Sequence, residues 1–285
     1  MFKNISLVIK IFFLCYFLLI LSNIEISKIK INIINFELVY ILLSFSFFHY
    51  LRSIKLKIFF NLKLYNSIKI YLIGFFFGFI TPGRIGDFIK VFYIKKKINL
   101  KDFKKIVYEK IIDVYWILLF SFISIIFLLK LNIYNQIISL ILVAFLTVLL
   151  HKFIIRKLEI KLKLNEIFKA NTFSILSLFF YLIGCFFIFK NFDIKIGPEI
   201  FMVFILALGV TLIPISFNGL GSREAVLLFF INIINLNKEE IIIASLLIFI
   251  FINILFSICG YFFYITNPNI KIDKKLILKF SRKII

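Results

Sequence analysis

Two short stretches hold most of the side chains in this chain that could do chemistry. Residues 81–87 read TPGRIGD, and Ile213–Ala225 reads IPISFNGLGSREA. Each sets a helix-breaking group beside an arginine and an acid: Arg84 with Asp87, and Arg223 with Glu224. Proline removes a backbone donor and glycine permits positive φ. Helices are therefore expected to break at Thr81, Pro82, Gly83 and Gly86, and again at Pro214, Gly219 and Gly221. A helix that restarts after such a break offers free N–H groups to an anion. Guanidinium forks suit phosphate oxygens, and Asn218 adds an amide. Asp87 and Glu224 could balance the arginines when no ligand is bound, or each pair could simply staple its own break. A third stretch, YEKIID at 108–113, places Glu109 and Asp113 one turn apart on one helix face. They either line the same cavity and pair with Arg84 or Arg223, or serve only as favourable acids near a helix start. The chemistry implied is binding of an anionic or zwitterionic group, with no catalytic residue assigned.

Other chemistries lack their signatures. No HExxH, GxSxG, P-loop or Asp-x-Asp pattern occurs. His49 and His151 lie far apart at the ends of apolar segments, and Cys15, Cys185 and Cys259 are dispersed without ligand spacing. No metal and no cofactor is expected. Glu37 reads as an interfacial charge, and Gly74 and Gly78 as a small-residue face for close helix packing.

The elements that must position these residues are membrane helices. Hydrophobic residues make up 62% of the 285, and mean hydropathy is +1.08, outside the soluble range. Long apolar runs recur from about residue 5 to 263. A bilayer forces each spanning backbone into helices, so the chain reads as one all-α polytopic membrane domain over 1–285 with a basic tail at about 268–285. A β-barrel would need repeated alternating segments of about ten residues, which are absent. The formal charge of +21 sits in segments flanking apolar runs. That pattern suits a membrane surface and anionic lipid head groups rather than nucleic acid. The first apolar run, from Lys3 to Leu21, reads as an uncleaved span because no small-residue cleavage site follows.

Six segments read as full spans, at about 5–22, 34–51, 113–130, 134–150, 172–190 and 240–263. Two are irregular: 67–94 and 199–236. Lysine and arginine concentrate in 52–69, 84–110, 152–169 and the tail, which places those segments and both termini in the cytoplasm. A single crossing at 67–82 would put two basic segments on opposite sides. The conflict vanishes if 67–94 is a re-entrant hairpin turning at 81–86. A second hairpin at 199–236 would enter from the other face and turn at 218–221. Eight plain spans are the alternative. Opposed hairpins would fit an inverted repeat.

TPGRIGD, then YEKIID, then PISFNGLGSREA resemble, in order and spacing, three signatures of the lysylphosphatidylglycerol synthase transmembrane region, or flippase-like domain family. The resemblance covers nearly the whole chain. Asp87 stands where the family usually has Glu, Lys110 where it has Arg, and Ser222 where Val is common. The resemblance implies a domain that moves or holds a lipid or lipid-linked substrate at the plasma membrane. In the fused synthases this region flips aminoacylated phosphatidylglycerol. Their soluble aminoacyltransferase domain has no counterpart in these residues, so translocation is expected rather than synthesis. Membrane lipids are the expected partners, with a lipid-modifying enzyme as a further possibility. Lipid-linked glycosyl transfer, or a role as adaptor for such an enzyme, are the alternatives.

Overall fold

The computed structural model describes residues 35–94, 100–129, 132–158, 162–191, 197–212, 216, 218–231 and 237–266. The expected first span, Pro214 and the basic tail lie outside them. Among the described residues the fold is all-α, without a strand. The helices are α1 (Asn35–Phe60), α2 (Leu64–Ile80), a 3-10 segment (Pro82–Ile89) running into α3 (Lys90–Ile94), α4 (Leu100–Leu128), α5 (Ile133–Leu158), α6 (Leu164–Lys190), α7 (Pro198–Val210), α8 (Ser222–Phe229), α9 (Lys238–Phe249), a π-turn (Ile250–Ile254) and α10 (Leu255–Ile265). Three stretches, Lys101–Leu128, Leu164–Lys190 and the continuous Lys238–Ile265, are long and apolar enough to cross a hydrocarbon core.

Contacts order the helices between two ends. At the basic end, the last turn of α1 meets the starts of α4 and α6: Phe59 packs with Tyr108 and Ala170, and Lys105 Nζ donates to Phe59 O at 3.0 Å. At the other end, Lys190 closes α6 by pairing with Glu37 at the start of α1, 3.1 Å away. Glu37 is thus buried and paired at the helix end. α1 and α6 run antiparallel along their lengths. Phe45 fills the place where a side chain at Gly184 would stand, and Tyr40 stacks on Phe187 at 4.9 Å. Lipid tails give apolar side chains no drive to associate, so such close-fitting small-residue contacts carry the packing.

Two elements do not run end to end. α2 leaves the basic end, breaks at Thr81, and the 3-10 segment and α3 fold back along it. Any side chain at Gly78 would collide with Asp87, and any at Gly74 with Lys90. The small-residue face therefore packs against its own returning limb. Tyr93 and Ile94 finish beside Ile70, Leu62 and Phe60, so entry and exit share the basic end. α7 begins at the opposite end, where Ile200 and Phe204 join Ile188 and Phe189, and turns before α8. The two tips meet: Asn218 Nδ2 donates to Phe79 O at 2.6 Å. Among the described residues the two broken segments thus approach each other tip to tip from opposite ends.

Helix ends depart from the sequence reading. α1 continues nine residues beyond 51, α4 starts thirteen before 113, and α6 starts eight before 172. The added turns carry charges that lie buried in the interior, so polarity did not end the helices. Arg52 and Lys55, expected in a basic loop, are buried on α1. His49, expected at a span end, sits within α1 at 3% exposure. Its Nδ1 lies 3.1 Å from the Tyr71 hydroxyl and its Nε2 3.1 Å from Ile252 O.

Candidate ligand cavity between the hairpin tips

The hairpin tips and the helices around them enclose a cavity of about 230 Å³. Ile252 and Asn253, near the middle of the continuous Lys238–Ile265 helix, form part of its wall, which sets it at mid-depth. Arg52 comes from α1, Arg84 and Asp87 from the first tip, Lys110 and Asp113 from α4, and Asn218 and Arg223 from the second tip. Irregular backbone at membrane depth is tolerated where protein buries it or it lines a polar cavity.

Each tip is built by local chemistry. At the first, Thr81 Oγ1 donates to Phe77 O at 2.7 Å and accepts from Gly86 N at 2.7 Å. Arg84 takes φ 55°, a left-handed conformation uncommon for a bulky residue. At the second, Asn218 (φ 52°), Gly219 (φ 89°) and Gly221 (φ 80°) turn the chain; Gly219 also lies against Thr211, leaving no room for a side chain. Glu224 Oε2 accepts from Gly221 N at 2.7 Å. The N–H groups of Gly86 and Gly221, expected to be open to an anion, are thus capped by Thr81 and Glu224.

The charges pair differently from the sequence expectation. Arg223 and Glu224 do form a pair: Nη2 reaches Oε1 at 2.8 Å. Ser245 completes this clasp, its Oγ accepting from Arg223 Nε at 2.7 Å and donating to Glu224 Oε1 at 2.5 Å. Glu224 is fully buried and does not line the cavity. Asp87 pairs with Lys110, not Arg84. Asp113 pairs with Lys55, and Ser174 Oγ donates to the same carboxylate at 2.9 Å. Arg52 Nε stands 3.9 Å from Asp113. Glu109, expected in the cavity, is buried behind it with Lys90, 3.5 Å away. Of the seven candidate binding residues, Arg84, Asp87, Asp113, Asn218 and Arg223 line the cavity, and Glu109 and Glu224 do not.

Arg84 donates from Nη2 to Asn253 Oδ1 at 3.1 Å. Among the described residues no carboxylate forms an ion pair with it. Polar lining residues outside the candidate binding set are Arg52, Lys110, Tyr181, Thr211, Ser216 and Asn253. Arg52 and Lys55 had a readable signal, two cations on one face of an otherwise apolar helix. Asn253 had none, because its position depends on the π-turn. Among the described residues no cluster of three His, Cys, Asp or Glu could hold a metal ion.

No curated protein and no solved structure gives a significant match. Residues 5–260 match the family described as the lysylphosphatidylglycerol synthase TM region, spanning both hairpins and every cavity residue. The chain belongs to that family.

Proposed function

We propose that this protein is a lipid translocase that holds and passes a lipid, or lipid-linked molecule, whose head group is anionic or zwitterionic. The observation that carries this reading is a charged cavity at mid-depth where two opposed hairpin tips meet inside an apolar helical fold. A head group needs such a place to leave water, while its hydrocarbon chain stays among apolar helices and lipid. The cavity acids, Asp87 and Asp113, each hold a cation, which suits counter-ions. In this reading the basic end faces the cytoplasm and the membrane is the plasma membrane.

Purified protein in liposomes tests it. Fluorescent phospholipids in the inner leaflet are hidden from an added quencher. Wild type should expose them within minutes, and Arg84→Gln should not, though correctly inserted. Lipid that stays hidden with wild type, across anionic and zwitterionic head groups, would sink the proposal.

A further inference from the structure

Among the described residues the charges around the cavity do not balance, and the two cations in excess are informative. Six buried or partly buried cations are involved: Arg52, Lys55, Arg84, Lys90, Lys110 and Arg223. Four acids answer them. Asp87 is taken by Lys110, Glu109 by Lys90, Asp113 by Lys55 and Glu224 by Arg223. That leaves an excess of two positive charges, carried by Arg52, which must share Asp113, and Arg84, and both line the cavity. Arg52 shares Asp113 with Lys55: its Nε lies 3.9 Å from Oδ2, while Lys55 and Ser174 bond Oδ1, and the Tyr71 hydroxyl is a neutral hydrogen-bond partner of the guanidinium. Its Nε is buried without a hydrogen-bond partner, and the residue is 7% exposed. Each surplus guanidinium lies over a phenylalanine of the cavity wall: Arg52 over Phe48 at 4.2 Å and Arg84 over Phe75 at 5.8 Å. The rings give attraction and orientation but no counter-charge. Uncompensated charge at this depth is costly, and arginine does not escape by losing its proton.

We infer that Arg52 and Arg84 form a two-guanidinium clamp for a doubly charged phosphate head group, a lipid phosphomonoester or a lipid-linked diphosphate. This rests on the lipid-handling reading and narrows it. A phosphodiester supplies one negative charge and a zwitterion none, so either leaves net positive charge in the site. A dianion neutralises the pair and offers enough oxygens for both forks. The head group is held from two walls, α1 and the first hairpin tip.

Binding to the purified full chain tests the inference, read by native mass spectrometry and thermal stabilisation at pH 8. The probes share the same acyl chains and differ in head group: a phosphomonoester, a diphosphate monoester, a phosphodiester and a phosphocholine. Inorganic phosphate and diphosphate are separate arms. Charge-assisted hydrogen bonds are strong enough that the dianionic lipids should bind about tenfold or more tighter than the phosphodiester. Arg52→Gln and Arg84→Gln should each erase most of that preference, while Arg52→Lys keeps part of it. Since wild-type selectivity alone decides the point, a variant that fails to fold does not rescue the inference. Phosphodiester or zwitterion binding as tightly as the dianions, with lipid still moved, would overturn the clamp and leave translocation standing. If no lipid binds and none is moved, the translocase reading falls with it. Inorganic phosphate binding as tightly as the lipids would support the clamp and assign its occupant to water-soluble anions.

Discussion

Arg84 and Arg223 look alike in the sequence, yet the structure gives them different surroundings. Arg223 is locked by Glu224 and Ser245, so its loss should be felt as unfolding. Breaking a buried pair by removing one partner costs about 3–5 kcal/mol. Glu224→Gln should therefore lower the melting temperature in detergent sharply, with or without lipid. Arg84 is held by one hydrogen bond, so Arg84→Gln should change stability by only about 1 kcal/mol while transport is lost. Equal melting penalties for the two substitutions would contradict this division. Asp87→Asn should strand Lys110 rather than Arg84. The double variant Asp87→Asn with Lys110→Met should recover most of that loss, and a thermal cycle over the four proteins measures the coupling. The sequence reading found Arg84 and Asp87 but not their partners. Neighbours in sequence are a poor guide to pairing where a returning limb and α4 bring Lys110 beside the tip.

The hairpins were legible as elements because their evidence is local. Pro82, Gly83 and Gly219 break helices wherever they stand, and Gly74 and Gly78 mark a close packing face. Gly78→Leu tests the first hairpin directly. The new side chain would force Asp87 and the return limb away from α2, and overpacking of this kind costs about 1–3 kcal/mol. The variant should melt lower and lose lipid movement, whereas Gly197→Ala, outside both tips, should do neither. What the sequence hid were the helix ends and the π-turn. Lys55, Lys90 and Lys110 were counted among loop charges, but their acidic partners keep the helices intact around them. The π-turn leaves no compositional trace, yet it supplies both Ile252 O for His49 and Asn253 for Arg84. Removing one residue from 250–254 should restore a plain helix with the faces on either side still in register, while the wide turn that presents Ile252 O and Asn253 disappears. Both contacts should then be lost together.

At the scale of the whole molecule, the two hairpins enter from opposite ends, and this fixes which loops share a face. In a background without Cys15, Cys185 and Cys259, single cysteines at Lys63, Lys101 and Lys163 should react with an impermeant reagent from one side only. Cysteines at Asn132 and Glu199 should react from the other. Labelling of Lys63 and Lys101 from opposite sides would make the first hairpin a plain crossing. The basic-segment count groups the same loops on one face, and Lys57, Lys63, Lys69, Lys101, Lys104 and Lys105 mark that end although several of the charges counted with them are buried. The mid-depth position of the cavity has an electrical consequence. A charge leaving it for either surface crosses roughly half of the transmembrane voltage, about 1.2 kcal/mol per elementary charge at 100 mV. Release of a singly charged head group toward one leaflet would be accelerated about sevenfold by that potential and slowed equally toward the other, and a double charge would square the factor. Liposomes clamped by a potassium gradient would then act as a rectifier for lipid, and the steepness of that rectification would count the charges each molecule carries.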